Sequence, residues 1–227
     1  MRIGLANIMT AVLLQLISYH EVETPITEPV TKFGGQPVWI MEPQWPLSRS
    51  TGKPMRFLCQ IALDPAIFGD VVGKMAYIFI NDPEDEMEDA GSNYEADSGE
   101  NAVIVQPGHQ YVATAVRNEG PTLRRRISGA FAPCEFSITL EPSEEPVYDP
   151  ALSLNEEGDL SYESGFLLAD KIGGSPRFVQ GPEFPEGSGW RLLVQFGALQ
   201  DALPFGGGFA YVFLAADGAS GKMVWQR

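Results

Sequence analysis

Reactive side chains are scarce in this 227-residue chain: it has two cysteines, Cys59 and Cys134, and two histidines, His20 and His109. Two cysteines cannot build a disulfide framework, although a single bridge stays open, and no pair has metal-ligand spacing. Basic residues are few as well. Fifteen Lys and Arg stand against thirty Asp and Glu, a formal net charge of −15. A protein that holds a phosphate backbone or an anionic membrane surface presents the opposite sign, so nucleic acid and membrane are excluded as expected partners. No apolar run approaches the ~20 residues that span a bilayer. The opening stretch, MRIGLANIMTAVLLQLISYHEVE, lacks a small-x-small cleavage site before HEVE and reads as a structural helix or strand, with the cytoplasm as the expected location.

Catalytic signatures are missing too. There is no G-x-S-x-G elbow, H-E-x-x-H pair, G-x-G-x-x-G turn or phosphate-cradling loop. Ser137 and Ser164 have no evident base. His109 is the best single proton-transfer candidate, and it also reads as an ordinary loop residue. No catalytic residue, metal ligand or cofactor is therefore assigned, and whether the chain is an enzyme stays open.

What is present is material for one substantial core. Hydrophobic residues make up 44% of the chain and charged residues 20%, while 24 glycines and 18 prolines call for many turns and speak against a helix bundle. The length allows one large domain or two small ones.

An internal repeat organises the chain. KFGGQPVWIMEPQWP at 32–46 aligns without a gap with KIGGSPRFVQGPEFP at 171–185, sharing the Lys, both Gly and three Pro, with aromatic or apolar residues kept in kind. MRFLCQI at 55–61 answers WRLLVQF at 190–196, KMAYIFI at 74–80 answers GFAYVFL at 208–214, and AVIVQ at 102–106 answers KMVWQ at 222–226. These blocks read as strands. Phe57, Cys59 and Ile61 share one face, as do Leu192, Val194 and Phe196. Both faces are apolar, which places the strands between layers. The GG pairs mark tight turns or close backbone approach, where a Cβ would not fit. Between the copies lie strand-like blocks at 110–118 and 134–141, a connection carrying Arg124, Arg125 and Arg126, and an acidic stretch whose DPALSLNEEG portion suggests a short helix capped by Asp149. The expectation is one α+β domain over 1–227, mostly antiparallel sheet, an internal duplication of two strand-rich half-units (about 31–106 and 170–226) joined by a middle segment, 107–169.

The repeated blocks resemble the YwqG-like family, a domain of unknown function. The likeness rests on the duplicated GG-x-P turn, the L-x-Q strand and the strand of MAYIFI and FAYVFL type, and runs from about Thr31 to Gln226. It implies a mixed α/β fold with mostly antiparallel sheet and an association with toxin immunity or signalling, and supplies no catalytic residues. One departure is visible: Met41 stands where the second copy has Gln180.

Several residues invite a functional reading. Lys32 and Lys171 precede the two GG turns, either as a pair of cations around a pseudo-twofold groove that takes a carboxylate or phosphate, or as solvated turn residues. Gln60 and Gln195 occupy one repeat position inside apolar strands, and either bridge backbone or line a shared cleft. Trp39 and Trp45 align with Phe178 and Phe184 as core aromatics; Trp190 offers contact area at the mouth of a groove. The run from 82 to 100 holds nine acidic residues and no Lys or Arg. Asp82, Glu84, Asp85, Glu86, Glu88 and Asp89 are its densest part. It reads as a solvated loop, as bait for a basic partner, or as a divalent-cation loop without the usual spacing. The leading functional expectation is a non-enzymatic binding protein, immunity- or inhibitor-like, that recognises a basic protein. The alternative is a small-molecule-binding protein or enzyme at the junction of the repeats, using Lys32, Gln60, Lys171 and Gln195, with Gln180 and Trp190 beside them.

Overall fold

Alternating large apolar and β-branched residues send successive side chains to opposite faces of an extended chain. Glycine or proline interrupts the sequence before a helix can propagate. The computed structural model describes residues 11–83, 90–109, 112–153, 165–199 and 201–227. In chain order its elements are β1 (Ala11–Glu21), β2 (Lys32–Gly34), β3 (Trp45–Pro46), β4 (Arg56–Ala62), α1 (Pro65–Phe68), β5 (Met75–Ile80), β6 (Asn101–Gln106), β7 (Thr114–Ala115), β8 (Arg124–Ile127) and β9 (Ala130–Pro133). There follow β10 (Glu135–Pro146), α2 (Pro150–Ser153), β11 (Lys171–Gly173), β12 (Arg191–Phe196), β13 (Phe209–Leu214) and β14 (Gly221–Gln226).

Ten strands close into a barrel in the order β1-β10-β2-β4-β5-β6-β14-β13-β12-β11, with β11 returning to β1. Neighbours in it run antiparallel. Two ribbons, β3–β7 and β8–β9, stand apart from the barrel sheet. The expected antiparallel sheet is therefore present, but the α+β class is not. Among the described residues helix is limited to α1 and α2, four residues each. Asp64 caps α1 and Gly69 ends it. The start of α2 is where the sequence placed it, the Ala151 N–H donating to Asp149 Oδ1 at 2.9 Å; 154–164 lie outside the described residues. The N-terminal stretch, open between helix and strand, is strand: β1 pairs with β10 along its whole length.

Strands β2, β4, β5 and β6 and strands β11, β12, β13 and β14 follow the same order and register. Lys32 faces Gln60 and Lys171 faces Gln195. Gln60 then faces Tyr77, and Gln195 faces Tyr211. Each set also carries a register shift at one place, between Phe57 and Cys59 and between Leu192 and Val194. These irregularities correct the face assignment made from alternation. An extra residue reverses the faces that follow it. Phe57 therefore packs outward with Trp45, Tyr77 and Phe79, whereas Leu58, Cys59 and Ile61 point into the barrel. Leu192 likewise joins Phe178 and Tyr211, while Leu193, Val194 and Phe196 point inward.

The barrel interior is a continuous apolar core, including Phe33, Ile78, Val105, Phe196, Val212 and Met223. The outer face of each strand set is covered by the loop that follows its GG pair. Trp39 and Ile40 cover one, where Trp39 stacks on Tyr77 and Phe79; Phe178 covers the other. The strands thus lie between two layers. Cys59 and Cys134 are buried and unbridged.

Candidate functional site

A lysine before a GG turn would ordinarily lie in water. Here both lysines are buried, Lys32 with 1% and Lys171 with 0% of its surface exposed. A buried ammonium needs a counter-charge, and β10 supplies one near each end. Lys32 Nζ lies 2.6 Å from Glu135 Oε1 and donates to the Ile26 carbonyl at 3.1 Å. Lys171 Nζ lies 2.7 and 2.9 Å from the two oxygens of Glu145. Burial pushes the Lys171 ammonium below its ordinary pKa, and Glu145 pulls the other way. The glycines are explained by these pairs. A Cβ on Gly35 would stand 2.3–2.5 Å from the Glu135 carboxylate, and one on Gly174 would stand 2.2 Å from Glu145 Oε1. Neither the solvated lysine nor the free ligand-binding cation describes these residues.

Gln60 and Gln195, each 0% exposed, are equally occupied. Gln60 Oε1 accepts from Val38 N–H at 2.8 Å and its amide donates to the Val30 carbonyl at 2.8 Å. Gln195 Oε1 accepts from Arg177 N–H at 2.8 Å and its amide donates to the Ala169 carbonyl at 3.0 Å. On the neighbouring strands, Tyr77 OH donates to the Val38 carbonyl and Tyr211 OH to that of Arg177, both at 2.9 Å. At the last strand of each set, Gln106 and Gln226 complete the row. Gln106 Oε1 accepts from Met41 N–H at 3.1 Å, and Gln226 Oε1 accepts from Gln180 N–H at 3.0 Å. A Gln-Tyr-Gln row thus pins each covering loop by its backbone. This accounts for Met41 opposite Gln180: the contact uses the amide N–H, and the Gln180 side chain is exposed. Trp190 is half-buried, its indole N–H donating to the Glu186 carbonyl at 2.9 Å. The groove beside the first GG turn is lined by Lys32 and by none of Gln60, Lys171 and Gln195. The tyrosines and end glutamines escaped notice as site residues, although YIF/YVF and IVQ/VWQ already carried them in register.

Of the acidic run, Glu84, Asp85, Glu86, Glu88 and Asp89 lie outside the described residues. Asp82 is held internally: Arg56 Nε donates to its Oδ2 at 2.6 Å, and Arg124 Nη2 lies 3.7 Å away. Farther on, buried Glu100 accepts from Ser48 Oγ, Asn81 Nδ2 and Ser50 N–H at 2.6–2.8 Å, so it anchors the return of the segment to the sheet. Of the three consecutive arginines, Arg125 pairs with Glu21 at 2.7 Å, and Arg124 lies over Phe131 at 4.4 Å.

Beside the first GG turn lies a groove of about 670 Å³. Val22, Pro25, Ile26, Pro37 and Val38 supply apolar wall, and the Lys32–Glu135 pair borders it. Glu23 and Glu119 line it as exposed carboxylates, and no cation among the described residues pairs with either. Arg56 connects this groove to the acidic run, since its Nη1 donates to the carbonyl of the lining residue Thr122 at 2.7 Å while Nε holds Asp82.

A second polar centre sits at the barrel wall. Tyr19 OH donates to Asp170 Oδ2 at 2.5 Å, and the Gly197 and Ala198 N–H groups donate to Asp170 at 3.0–3.1 Å. Burial raises the Asp170 carboxyl above its ordinary value of 3.8, against the hydrogen bonds that favour the anion. Burial, then the neighbouring Asp170, raise the Tyr19 hydroxyl well above the usual phenol range. Between 3.8 and the raised value the folded state holds more protons at Asp170 than the unfolded chain. This group's contribution to stability therefore grows as pH falls through the raised value and levels off below 3.8. Asp170→Asn keeps an acceptor for the two N–H groups and removes that component. Urea unfolding from pH 7 to pH 4 should show it as a stability difference, wild type minus variant, that grows as pH falls. A difference that stays constant with pH would contradict the assignment.

Among the described residues no group of three His, Cys, Asp or Glu side chains is placed to hold a metal ion. No helix among them is long and apolar enough to cross a membrane. In comparisons with known proteins, no protein-family model and no curated sequence matches the chain.

Proposed function

We propose that this chain is a non-enzymatic binding protein whose acidic groove receives a basic segment of a partner protein. The observation that carries this reading is the pairing pattern. The Lys32 and Lys171 ammonium groups and the Asp82 carboxylate are joined to internal partners. Glu23 and Glu119 stand at an apolar-walled groove with no such partner among the described residues. A lysine or arginine side chain suits this lining: its methylene stem lies along proline and valine while its charged head meets carboxylates. The −15 net charge adds long-range attraction for a cationic partner. An inhibitory or immunity-like role is consistent with capture without chemistry, and a cytoplasmic setting goes with it.

We further propose that the two strand sets descend from an internal duplication within one domain, and that the chain is a YwqG-like protein. Matching register, the paired Gln-Tyr-Gln rows and the repeated GG-x-P turns support both.

The test is fluorescence anisotropy of a labelled Lys/Arg-rich peptide titrated with the protein near physiological salt. Glu23→Lys with Glu119→Lys should weaken binding by about tenfold or more, since about 1.4 kcal/mol is a factor of ten and like charges now meet at the groove. Equal affinity in wild type and variant, or no binding by wild type, would contradict the proposal.

A further inference from the structure

The two buried lysine–glutamate pairs differ in one respect. Glu145 has donors on both oxygens. Its Oε1 accepts from Lys171 Nζ at 2.7 Å and Ser175 N–H at 2.6 Å, and its Oε2 from Lys171 Nζ at 2.9 Å and Leu167 N–H at 2.7 Å. Its side chain is 1% exposed. Glu135 has donors on one oxygen only. Lys32 Nζ at 2.6 Å and Ile26 N–H at 3.2 Å both donate to Oε1, and no donor among the described residues reaches Oε2. The Glu135 side chain is 10% exposed, and the residue lines the groove beside the first GG turn.

The repeat shows which donor the first set lacks. Ser175 follows the second GG pair as Gln36 follows the first. Ser175 turns its N–H to Glu145 and its hydroxyl to the Pro146 carbonyl at 2.7 Å. Gln36 is engaged elsewhere: its side-chain amide donates to the Gly120 carbonyl and its Oε1 accepts from Gly120 N–H, both at 3.0 Å. That clasp fixes the neighbouring Glu119 as part of the groove wall. Gly35 lines the groove as well, and a Cβ on it would stand 2.5 Å from Glu135 Oε2. Its glycine leaves that oxygen uncovered, beside a space of about 670 Å³.

A largely buried carboxylate oxygen without a donor is matched to an incoming N–H. The charge of Glu135 is already balanced by Lys32, so a second ammonium at the same carboxylate would meet Lys32 as a like charge. A neutral N–H meets no such repulsion. It is also what the second strand set supplies to Glu145, through Ser175 and Leu167. We propose that the groove reads the main chain of its ligand: a backbone N–H of an extended peptide donates to Glu135 Oε2, as Ser175 N–H does to Glu145. The basic side chains of that peptide meet Glu23 and Glu119. Such recognition rests on the basic segment proposed above, and it separates a peptide from a bare polycation.

Fluorescence anisotropy tests this with two labelled ligands of equal length and charge. One is a peptide of two central lysines flanked by glycines. The other is its N-substituted glycine counterpart, which carries the same aminobutyl groups and no N–H between residues. Wild type should bind the peptide about tenfold more tightly, the worth of one hydrogen bond to a charged acceptor. In the double variant Lys32→Met with Glu135→Gln both buried charges leave together, and the glutamine keeps one acceptor while its amide nitrogen is a donor. The double variant should bind the two ligands alike. Equal binding of both ligands by wild type, or a peptide advantage that survives in the double variant, overturns main-chain recognition and leaves the acidic groove as proposed. Failure of wild type to bind either ligand overturns both. An amide-to-ester scan of the peptide, read in wild type alone, keeps the test decisive even if the double variant folds poorly. Replacement at one amide should weaken binding about tenfold, and the same small effect at every position overturns the site.

Discussion

Glu145→Ala is expected to destabilise the fold by about 3–5 kcal/mol, the range for removing one member of a buried ion pair. Three groups lose their acceptor at once: the Lys171 ammonium at 2.7 and 2.9 Å, Ser175 N–H at 2.6 Å and Leu167 N–H at 2.7 Å. Lys171 is fully buried and cannot turn to water without opening the barrel wall between β1, β11 and β12. Lys171→Met should cost less, because the carboxylate it leaves keeps the Ser175 and Leu167 donors. The ordering, Glu145→Ala worse than Lys171→Met, is read from denaturant midpoints at neutral pH. The reverse ordering, or a Glu145→Ala loss below about 1 kcal/mol, which is the surface-pair range, would mean that the pair is not held as described.

Gly34→Ala should lose about 2–5 kcal/mol or fail to fold. Gly34 has φ +70°, and its Cβ would lie 2.1 Å from the Cys134 carbonyl oxygen and 3.2 Å from Leu123 Cβ. The obstacle is backbone, and that same carbonyl accepts from Gly35 N–H at 3.1 Å. A left-handed conformation alone costs an L-residue about 1–2 kcal/mol, and forcing atoms into a filled site adds about 1–3. Gly52 separates the two contributions, since it has φ +68° with nothing within 4 Å of its Cβ position. Gly52→Ala should therefore lose only the conformational part. Equal losses at the two positions would show that the turn yields to a side chain.

Much of the frame was legible because repeat blocks report on local geometry. The strands of MAYIFI and FAYVFL lie where alternation placed them, and the GG turns are indeed sites of close approach. The bulges at Leu58 and Leu193 were not legible. Both faces of these strands are apolar, so an extra residue leaves no trace in the hydrophobic pattern. The lysine partners were hidden for a different reason. Glu135 is 103 residues from Lys32 and Glu145 is 26 residues from Lys171, and only barrel closure makes them neighbours. Among thirty acidic residues nothing local distinguishes these two. The α+β expectation over-weighted one capped turn, Pro150–Ser153, and Asp82 was grouped by composition with its acidic neighbours although Arg56 holds it. Glu23 and Glu119 fell outside the dense acidic run and so went unremarked. What sets them apart is the apolar groove that three separate segments build around them.

Hydrogen–deuterium exchange of the protein with and without a saturating Lys/Arg-rich peptide tests the proposed function most directly, because it locates contact without assuming the site. The account predicts added protection in residues 21–27, 32–38, 119–122 and 133–135, the segments that carry the lining of the acidic groove, and unchanged exchange in β12 and β13. Protection confined to other surfaces, or exchange identical with and without peptide, would contradict it.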